Sequence, residues 1–234
     1  MPSSHLYQMN EIMELITITN PNKMLDVGVG FGKYGFLSRE YLELWDGRQK
    51  YNDWKKQIDG IEVFKDYITP LHHYIYNKIY IGNVIDILPE IETDYDLVLL
   101  IDVFEHFGYQ DGMKLLEECF KHGKNVLVSI PKDIGTQGET FGNPFEAHKF
   151  QWKKKHFEKY PRRIFISNQY SLICYIGDRS SDLEKAIIKL KYDLIKWKID
   201  LIVRKHFPFI SYIHKFLKKC TKNITGSRAK GRGH

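Results

Sequence analysis

Apolar positions along the first three quarters of the chain alternate between helical steps and short continuous runs. Leu6, Met9, Met13 and Ile16 recur at steps of 3, 4 and 3 and predict a lead-in helix, stopped by Asn20-Pro21-Asn22. A strand is predicted over Lys23 to Val27, followed by a turn rich in glycine. Tyr34, Leu37, Tyr41 and Leu44 repeat the helical step. A polar segment from Asp46 to Gln57 leads to a second strand in IDGIEVF, with Glu62 at its end. A helix rich in aromatics and histidine follows, with Pro70 inside it, then a third strand over Ile79 to Ile81 that runs into Gly82-Asn83-Val84. The near-continuous apolar run DLVLLIDVF is the pattern of a strand buried on both faces of a parallel sheet. Met113 to Phe120 predicts a helix and NVLVSIP a fifth strand. A long polar loop from Lys132 to about Lys149 and a short basic helix come next. RIFIS and YSLICYIG then form a hairpin around Asn168-Gln169.

Strands alternating with helices and closing in a hairpin predict an α/β fold, a doubly wound, seven-stranded, mostly parallel sheet with an antiparallel terminal hairpin. Sheets of this kind bind ligands at the carboxyl ends of their strands, around the switch point. Gly28 to Gly32, Glu62, Asn83 and Asp102 to His106 all fall on that edge.

Composition changes the picture in two ways. Hydrophobic residues at 43% and aromatics at 14% describe a globular chain, and no apolar run reaches the roughly 18 residues that span a bilayer. The first residues lack the basic and apolar regions of a secretory signal, and Cys119, Cys174 and Cys220 are odd in number and in no metal spacing. A cytoplasmic location is expected. The second change is electrostatic. Of the net charge of +6, residues 179–234 carry 15 Lys and Arg against 4 Asp and Glu, so the first 178 residues are net negative. The expected organisation is a domain over 1–178, a basic amphipathic helical extension over 179–220 and a disordered tail over 221–234.

Within MLDVGVGFGKYG, Asp26 closes the first strand, and Gly28, Gly30 and Gly32 follow before a helix start. A glycine turn lets backbone approach a ligand and aims helix N-terminal N–H groups at it. A dinucleotide fingerprint starting at Gly28 would need glycine where Lys33 stands. One starting at Gly30 begins two residues late. The spacing Asp26-x-Gly28-x-Gly30-x-Gly32 fits without slippage and resembles motif I of class I S-adenosylmethionine-dependent methyltransferases. The resemblance extends over about residues 6–177. It includes YDLVLLIDVFEH, which looks like the D-x-x-E-H signature of many small-molecule methyltransferases, and GNPFEAHKFQW, similar to a segment of bacterial members.

The resemblance implies a Rossmann-like methyltransferase fold with S-adenosylmethionine as cofactor. It places Asp26, Gly28, Gly30, Gly32, Glu62, Asn83, Val84 and Asp102 around that cofactor, Glu62 on the ribose hydroxyls and Asn83-Val84 beside the adenine. Family members often carry Asp at the position of Asn83, and an amide can still pair with the adenine amino group.

Methyl transfer from a sulfonium is an in-line displacement with a good leaving group. The protein has to align the acceptor, exclude water and take a proton where the acceptor is a hydroxyl. His106 and His148 are the candidate bases, with Glu105 beside them and Glu146 as an orienting group. Phe141, Phe145, Phe150 and Trp152 are candidate walls for an acceptor. Asp102, Glu105, His106 and His148 also make a hard-ligand set for a divalent cation. That set is similar to the acids and histidines of small-RNA 3′-terminal 2′-O-methyltransferases, with Asp102 standing where that family has Glu.

Beyond Gly177, Ser181 and Glu184 form a capping-box pattern. Leu183, Ile187, Leu190, Leu194, Trp197 and Leu201 follow at steps of 4, 3, 4, 3 and 4, with Lys185, Lys189 and Lys196 opposite. A second basic, aromatic stretch is PFISYIHKFLKKC. Packing on the domain or self-association, an interfacial membrane helix and nucleic-acid binding are the alternatives for this region. The expected function is O-methylation of a small molecule or glycan intermediate. The alternatives are a metal-assisted RNA 2′-O-methyltransferase and a docking module that retains the fold without turnover.

Overall fold

The computed structural model describes residues 4–206 other than 45, 46 and 48. Among them, β1 (Lys23–Val27), β2 (Gln57–Glu62), β3 (Lys78–Ile81), β4 (Leu97–Ile101), β5 (Asn125–Pro131), β6 (Arg163–Ile166) and β7 (Ser171–Gly177) form one seven-stranded sheet. The order is β3-β2-β1-β4-β5-β7-β6. The first five strands run parallel, while β7 is antiparallel to both β5 and β6. The doubly wound sheet with its antiparallel hairpin is therefore as the sequence predicts, and the strand order reverses between β1 and β4.

Burial explains the strand patterns. Every residue of β4 is buried, because the strand lies between β1 and β5 with both faces covered. Its neighbour β5 is buried over six of its seven residues. Apolar side chains of these strands pack against α5 (Tyr109–His122), whose Met113, Leu115, Leu116 and Cys119 are buried. The lead-in helix α1 (Met9–Thr19) buries Ile12, Met13, Leu15 and Ile16 and stops at Asn20, whose φ of 47° lies in the left-handed region. Leu6 stands apart from that stripe in a preceding 3-10 turn and is exposed.

Three helical expectations need correction. The buried face of α2 (Lys33–Glu43) consists of Tyr34, Gly35, Ser38, Arg39 and Glu43, and Tyr41 is exposed. Pro70 opens α3 (Pro70–Ile75) at its first position, where a missing N–H costs nothing, rather than lying inside a longer helix. The terminal helix α6 (Ser180–His206) begins before the expected cap at Ser181; the Ser180 hydroxyl donates to the Gly177 carbonyl at 2.6 Å.

The chain divides into two compact units between Glu184 and Lys185. In α6, Leu183 and Ile187 are buried, whereas Leu190, Leu194, Trp197 and Leu201 are exposed. A second apolar stripe, Ile188, Tyr192, Ile195, Ile199 and Ile202, is exposed as well. No helix among the described residues is long and apolar enough to cross a membrane. PFISYIHKFLKKC and the tail expected over 221–234 lie outside the described residues.

Candidate functional site

The switch point between β1 and β4 opens into a cavity of about 400 Å³. Asp26, Gly28, Gly30, Glu62, Asn83, Val84, Asp102 and His106 all line it. The glycine turn takes left-handed φ values, 71° at Gly28, 50° at Gly30 and 84° at Gly32, and of these three glycines Gly28 and Gly30 line the cavity while Gly32 stands at the N-cap of α2. At Gly28 a side chain is excluded twice over, by conformation and because a Cβ would sit 2.5 Å from a Val103 methyl. The first glycine therefore lets the loop after β4 close on the turn.

Each predicted side chain on this edge has a definite partner. Asp26 accepts a 2.6 Å hydrogen bond from the Tyr76 hydroxyl. Burial pushes its carboxyl up to about 7; the Tyr76 bond opposes the rise and the Glu62 charge adds to it. Glu62 accepts from the Gly30 N–H through Oε2 and from the Phe64 N–H through Oε1, both at 3.0 Å. It braces the glycine turn from β2, and each oxygen keeps further acceptor capacity toward the cavity. Burial raises its carboxyl as well, opposed by these backbone bonds. Asn83 caps the short helix α4 (Val84–Ile87), its Oδ1 accepting from the Ile85 N–H, so its amide N–H groups remain as donors.

Asp102 leaves the end of β4 with a φ of 53°. Its backbone N–H donates to the Ser129 carbonyl, and its Oδ2 accepts from Gln8 Nε2 at 2.5 Å. Gln8 is fully buried and in turn accepts from the Ser129 hydroxyl. Asp102 Oδ1 is buried with no hydrogen-bond partner among the described residues. Burial holds this carboxyl up at about 6, against the pull of Gln8 and the His5 backbone.

Behind the cavity wall, the structure brings Glu105, His106 and His148 together, with one ligand atom from each within 4.8 Å of the others. Asp102 is not part of this group. The four-residue ligand set expected from sequence is therefore three residues here, because Asp102 is turned to Gln8. Glu105 is 1% exposed, and its Oε2 has no partner among the described residues. Burial first, and then the Asp102 charge, push its carboxyl well above the carboxylate range. His106 Nδ1 lies 3.2 Å from the Ala147 carbonyl, and His148 Nδ1 lies 2.5 Å from the Ile134 carbonyl. A carbonyl only accepts, so in each neutral ring the proton is assigned to Nδ1 and the lone pair to Nε2. Burial lowers the pKa of His106, which keeps it neutral near pH 7. This donor set suits a divalent cation, two imidazoles with tautomers fixed by backbone carbonyls and a carboxyl group with one oxygen lacking a partner among the described residues. The residues fit such an ion.

Among the four aromatic residues expected to wall the acceptor, Phe145 lines the cavity. Phe141 is exposed. Trp152 is fully buried against Phe104 and donates its Nε1–H to the Phe104 carbonyl, so its role is in the core. Phe150 packs against Trp152 and Tyr109. Glu146 lines the cavity and accepts from the Tyr67 hydroxyl at 3.2 Å, and His148 Nδ1 faces the Ile134 carbonyl. His148 and Glu105 sit behind the wall, and His106 reaches the cavity itself.

Sequence reasoning missed Gln8, Lys33, Tyr67 and Tyr76. Lys33, Tyr34 and Ser4 line the cavity beside Asp102, and Lys33 Nζ donates to the Ser4 carbonyl at 2.6 Å. The signal for Lys33 was its place at the first position of the helix after the glycine turn. Gln8 carried no signal, because it reads as an ordinary polar residue ahead of α1.

No protein-family model matches the chain, and no curated protein does. Solved structures do share its fold. A candidate O-methyltransferase from Nostoc punctiforme PCC 73102 aligns at 17% identity and a TM-score of 0.50, over 73% of this chain and 57% of the other. A candidate caffeoyl-CoA O-methyltransferase from Staphylococcus aureus aligns at 15% identity and a TM-score of 0.50, over 75% of this chain and 85% of the other. The architecture is the Rossmann-like fold of methyltransferases.

Proposed function

We propose that the chain is an S-adenosylmethionine-dependent methyltransferase that methylates an oxygen of a small molecule or glycan intermediate. One observation carries the reading. The glycine turn, the strand-end acid Glu62, the amide of Asn83 and the loop from Asp102 to His106 arise from four strand ends and line one cavity. Its volume of about 400 Å³ lies in the range of small-molecule and cofactor sites. The solved structures that share the fold include O-methyltransferases by name, and that agrees with the reading.

The residues then divide the work. Backbone N–H groups of the turn and the carboxylate of Glu62 hold the nucleoside, the latter by accepting from ribose hydroxyls. In-line transfer breaks the methyl–sulfur bond and forms the methyl–oxygen bond, and the acceptor hydroxyl releases its proton. His106 is the group on the cavity wall that takes it, through the Nε2 lone pair left by the Ala147 contact. Tyr67, Glu146 and Phe145 form the acceptor side of the same cavity.

The test is titration of the full chain with S-adenosylhomocysteine, followed by an acceptor screen with labelled cofactor. His106→Gln is expected to keep S-adenosylhomocysteine affinity and lower turnover by about 10²–10⁴-fold. An unchanged turnover removes His106 from the reaction, and a wild-type chain that does not bind S-adenosylhomocysteine overturns the reading.

A second reading is favoured by the Glu105, His106 and His148 group, a metal-assisted methyltransferase acting on a ribose 2′-hydroxyl of RNA. A divalent cation held by these three residues would polarise the acceptor oxygen and lower its pKa. This reading expects activity to vanish with chelator and return with added cation, and acceptor binding to fall steeply with salt.

A further inference from the structure

The helix α6 repeats its chemistry every seventh residue. Ile187, Leu194 and Leu201 form one such series, and Leu183, Leu190 and Trp197 a second. Lys191, Lys198 and Lys205 form a third, and Asp193 and Asp200 a fourth. Written as a heptad abcdefg, the first series takes a and the second takes d, which puts the lysines at e and the aspartates at g. A straight helix drifts by about 20° per heptad, so an apolar stripe with a step of seven suits a partner helix coiled along it. Ile187 is buried, whereas Leu190, Leu194, Trp197 and Leu201 are between 46% and 59% exposed. Leu201 is the last apolar residue of this stripe, because Arg204 takes the next d position.

The flanking charges select what covers the stripe. In a parallel pair of helices, g of one faces e of the following heptad on the other, whereas in an antiparallel pair e faces e and g faces g. Parallel, in-register pairing of two copies sets Asp193 opposite Lys198 of the partner subunit and Asp200 opposite Lys205 of the partner subunit, each contact made twice by symmetry. Antiparallel pairing sets lysine against lysine and aspartate against aspartate. The second exposed stripe, Ile188, Tyr192, Ile195, Ile199 and Ile202, has Lys189 and Lys196 along one side and Lys191, Lys198 and Lys205 along the other. Two copies of that stripe repel. We infer that α6 pairs in parallel with α6 of a second copy of the chain, burying Leu190, Leu194, Trp197 and Leu201 in the seam. The inference is independent of the cofactor reading, since no described residue of α6 lines the cavity. The exposed seam runs only from Leu190 to Leu201, so the association depends on concentration.

Sedimentation equilibrium of the full chain over a wide concentration range tests the pairing. Wild type is expected to associate reversibly. A variant with Asp193→Lys and Asp200→Lys makes both flanks of the seam cationic, and one with Lys198→Asp and Lys205→Asp makes the facing positions acidic. Each variant alone is expected to associate at least about 10-fold more weakly than wild type, because every cross-seam pair turns repulsive. An equimolar mixture of the two is expected to recover wild-type affinity, since each pair is again opposite in sign. Ile195→Lys, on the second stripe, is expected to associate as wild type does. Direction is read from Leu194→Cys in a chain that also carries Cys220→Ser. An a position meets its own copy in a parallel, in-register pair, so mild oxidation is expected to cross-link that chain. Circular dichroism and urea unfolding establish that each variant is folded. A wild type that stays monomeric at every concentration overturns the inference, including one that binds anionic vesicles or single-stranded RNA instead. Association that survives both charge variants separately, or that Ile195→Lys abolishes, places the contact elsewhere and overturns it too. Self-association with no Leu194→Cys cross-link overturns the parallel pairing.

Discussion

At the scale of single residues, the cavity edge is a set of carboxyl groups held where water cannot fully reach them. Asp26 is the clearest. It is 3% exposed, it receives the Tyr76 hydroxyl, and burial raises its pKa from 3.8 to about 7. Between those two values the folded chain binds this proton more tightly than the unfolded chain does, so stability falls as pH rises through the window. Each tenfold difference in proton affinity between the folded and unfolded chain corresponds to about 1.4 kcal/mol for an ideal group, and relaxation of the site reduces that. Asp26→Asn keeps an oxygen for the Tyr76 hydroxyl and removes the titration. In urea unfolding of the ligand-free chain, the variant is expected to gain stability relative to wild type on going from pH 5 to pH 8. Parallel pH dependences for the two proteins would show that Asp26 does not titrate there. The acid itself was legible in the sequence, because it stands at a strand end before three glycines. Its partner was not, since Tyr76 is 50 residues away and reaches Asp26 only because α3 packs beneath the glycine turn. The same limit hid Gln8 from Asp102, 94 residues distant.

At the scale of elements, the strands were easier to read than the helices. β1 and β5 have the bounds that their apolar runs predict, and the parallel order follows from alternation with helices. The helix α2 shows why periodicity fails. Its apolar step pointed to Tyr34, Leu37, Tyr41 and Leu44, of which Tyr34 is buried and Tyr41 exposed, and the helix also buries an ion pair. Arg39 Nη1 lies 2.6 Å from Glu43 Oε2, with the side chains 5% and 1% exposed. Arg39 also donates to the Ile75 and Lys56 carbonyls and to Asn77, while Glu43 accepts from the Lys55 and Lys56 N–H groups. The pair thereby ties α2 to the end of α3 and to the segment that enters β2. A hydropathy pattern counts such residues as solvent-facing, so Arg39 and Glu43 are left off the buried face. Removing one partner leaves a buried charge uncompensated, a loss of about 3–5 kcal/mol. Arg39→Ala is therefore expected to destabilise the chain by that amount, whereas Tyr41→Ala on the exposed face is expected to cost less than about 1 kcal/mol. Chemical denaturation of both variants checks the contrast, and equal losses would count against the buried face described for α2.

At the scale of the whole molecule, charge and chemistry are segregated along the chain. Every described residue that lines the cavity lies between Ser4 and Lys149, whereas residues 188–234 carry 13 Lys and Arg against 2 Asp and Glu. The basic extension was legible as a change in composition. The second apolar stripe of α6 was not, because apolar residues at two overlapping helical steps read as one face when only one step is followed. Both stripes past Ile187 are exposed, so residues 188–206 bring apolar and cationic surface, and none of these described residues lines the cavity. A chain ending at Ile187 keeps Ser180, Leu183 and Ile187, the buried positions among the described residues of the helix. It is expected to bind S-adenosylhomocysteine within about 3-fold of the full chain, since it retains the Glu62, Asn83, Asp102 and Lys33 ends of the cavity. A loss beyond about 10-fold would mean that residues past 187 complete the site. Acceptor affinity then separates the two functional readings. Neutralising phosphates with Lys and Arg dominates affinity for a polyanion, with a salt slope near 0.7 per phosphate contacted on a single strand. If the acceptor is RNA, the shortened chain keeps its cofactor, loses acceptor affinity and shows a shallower salt dependence. A small-molecule acceptor that reaches Tyr67, Glu146 and Phe145 is bound by both chains alike, because those residues belong to the part that remains.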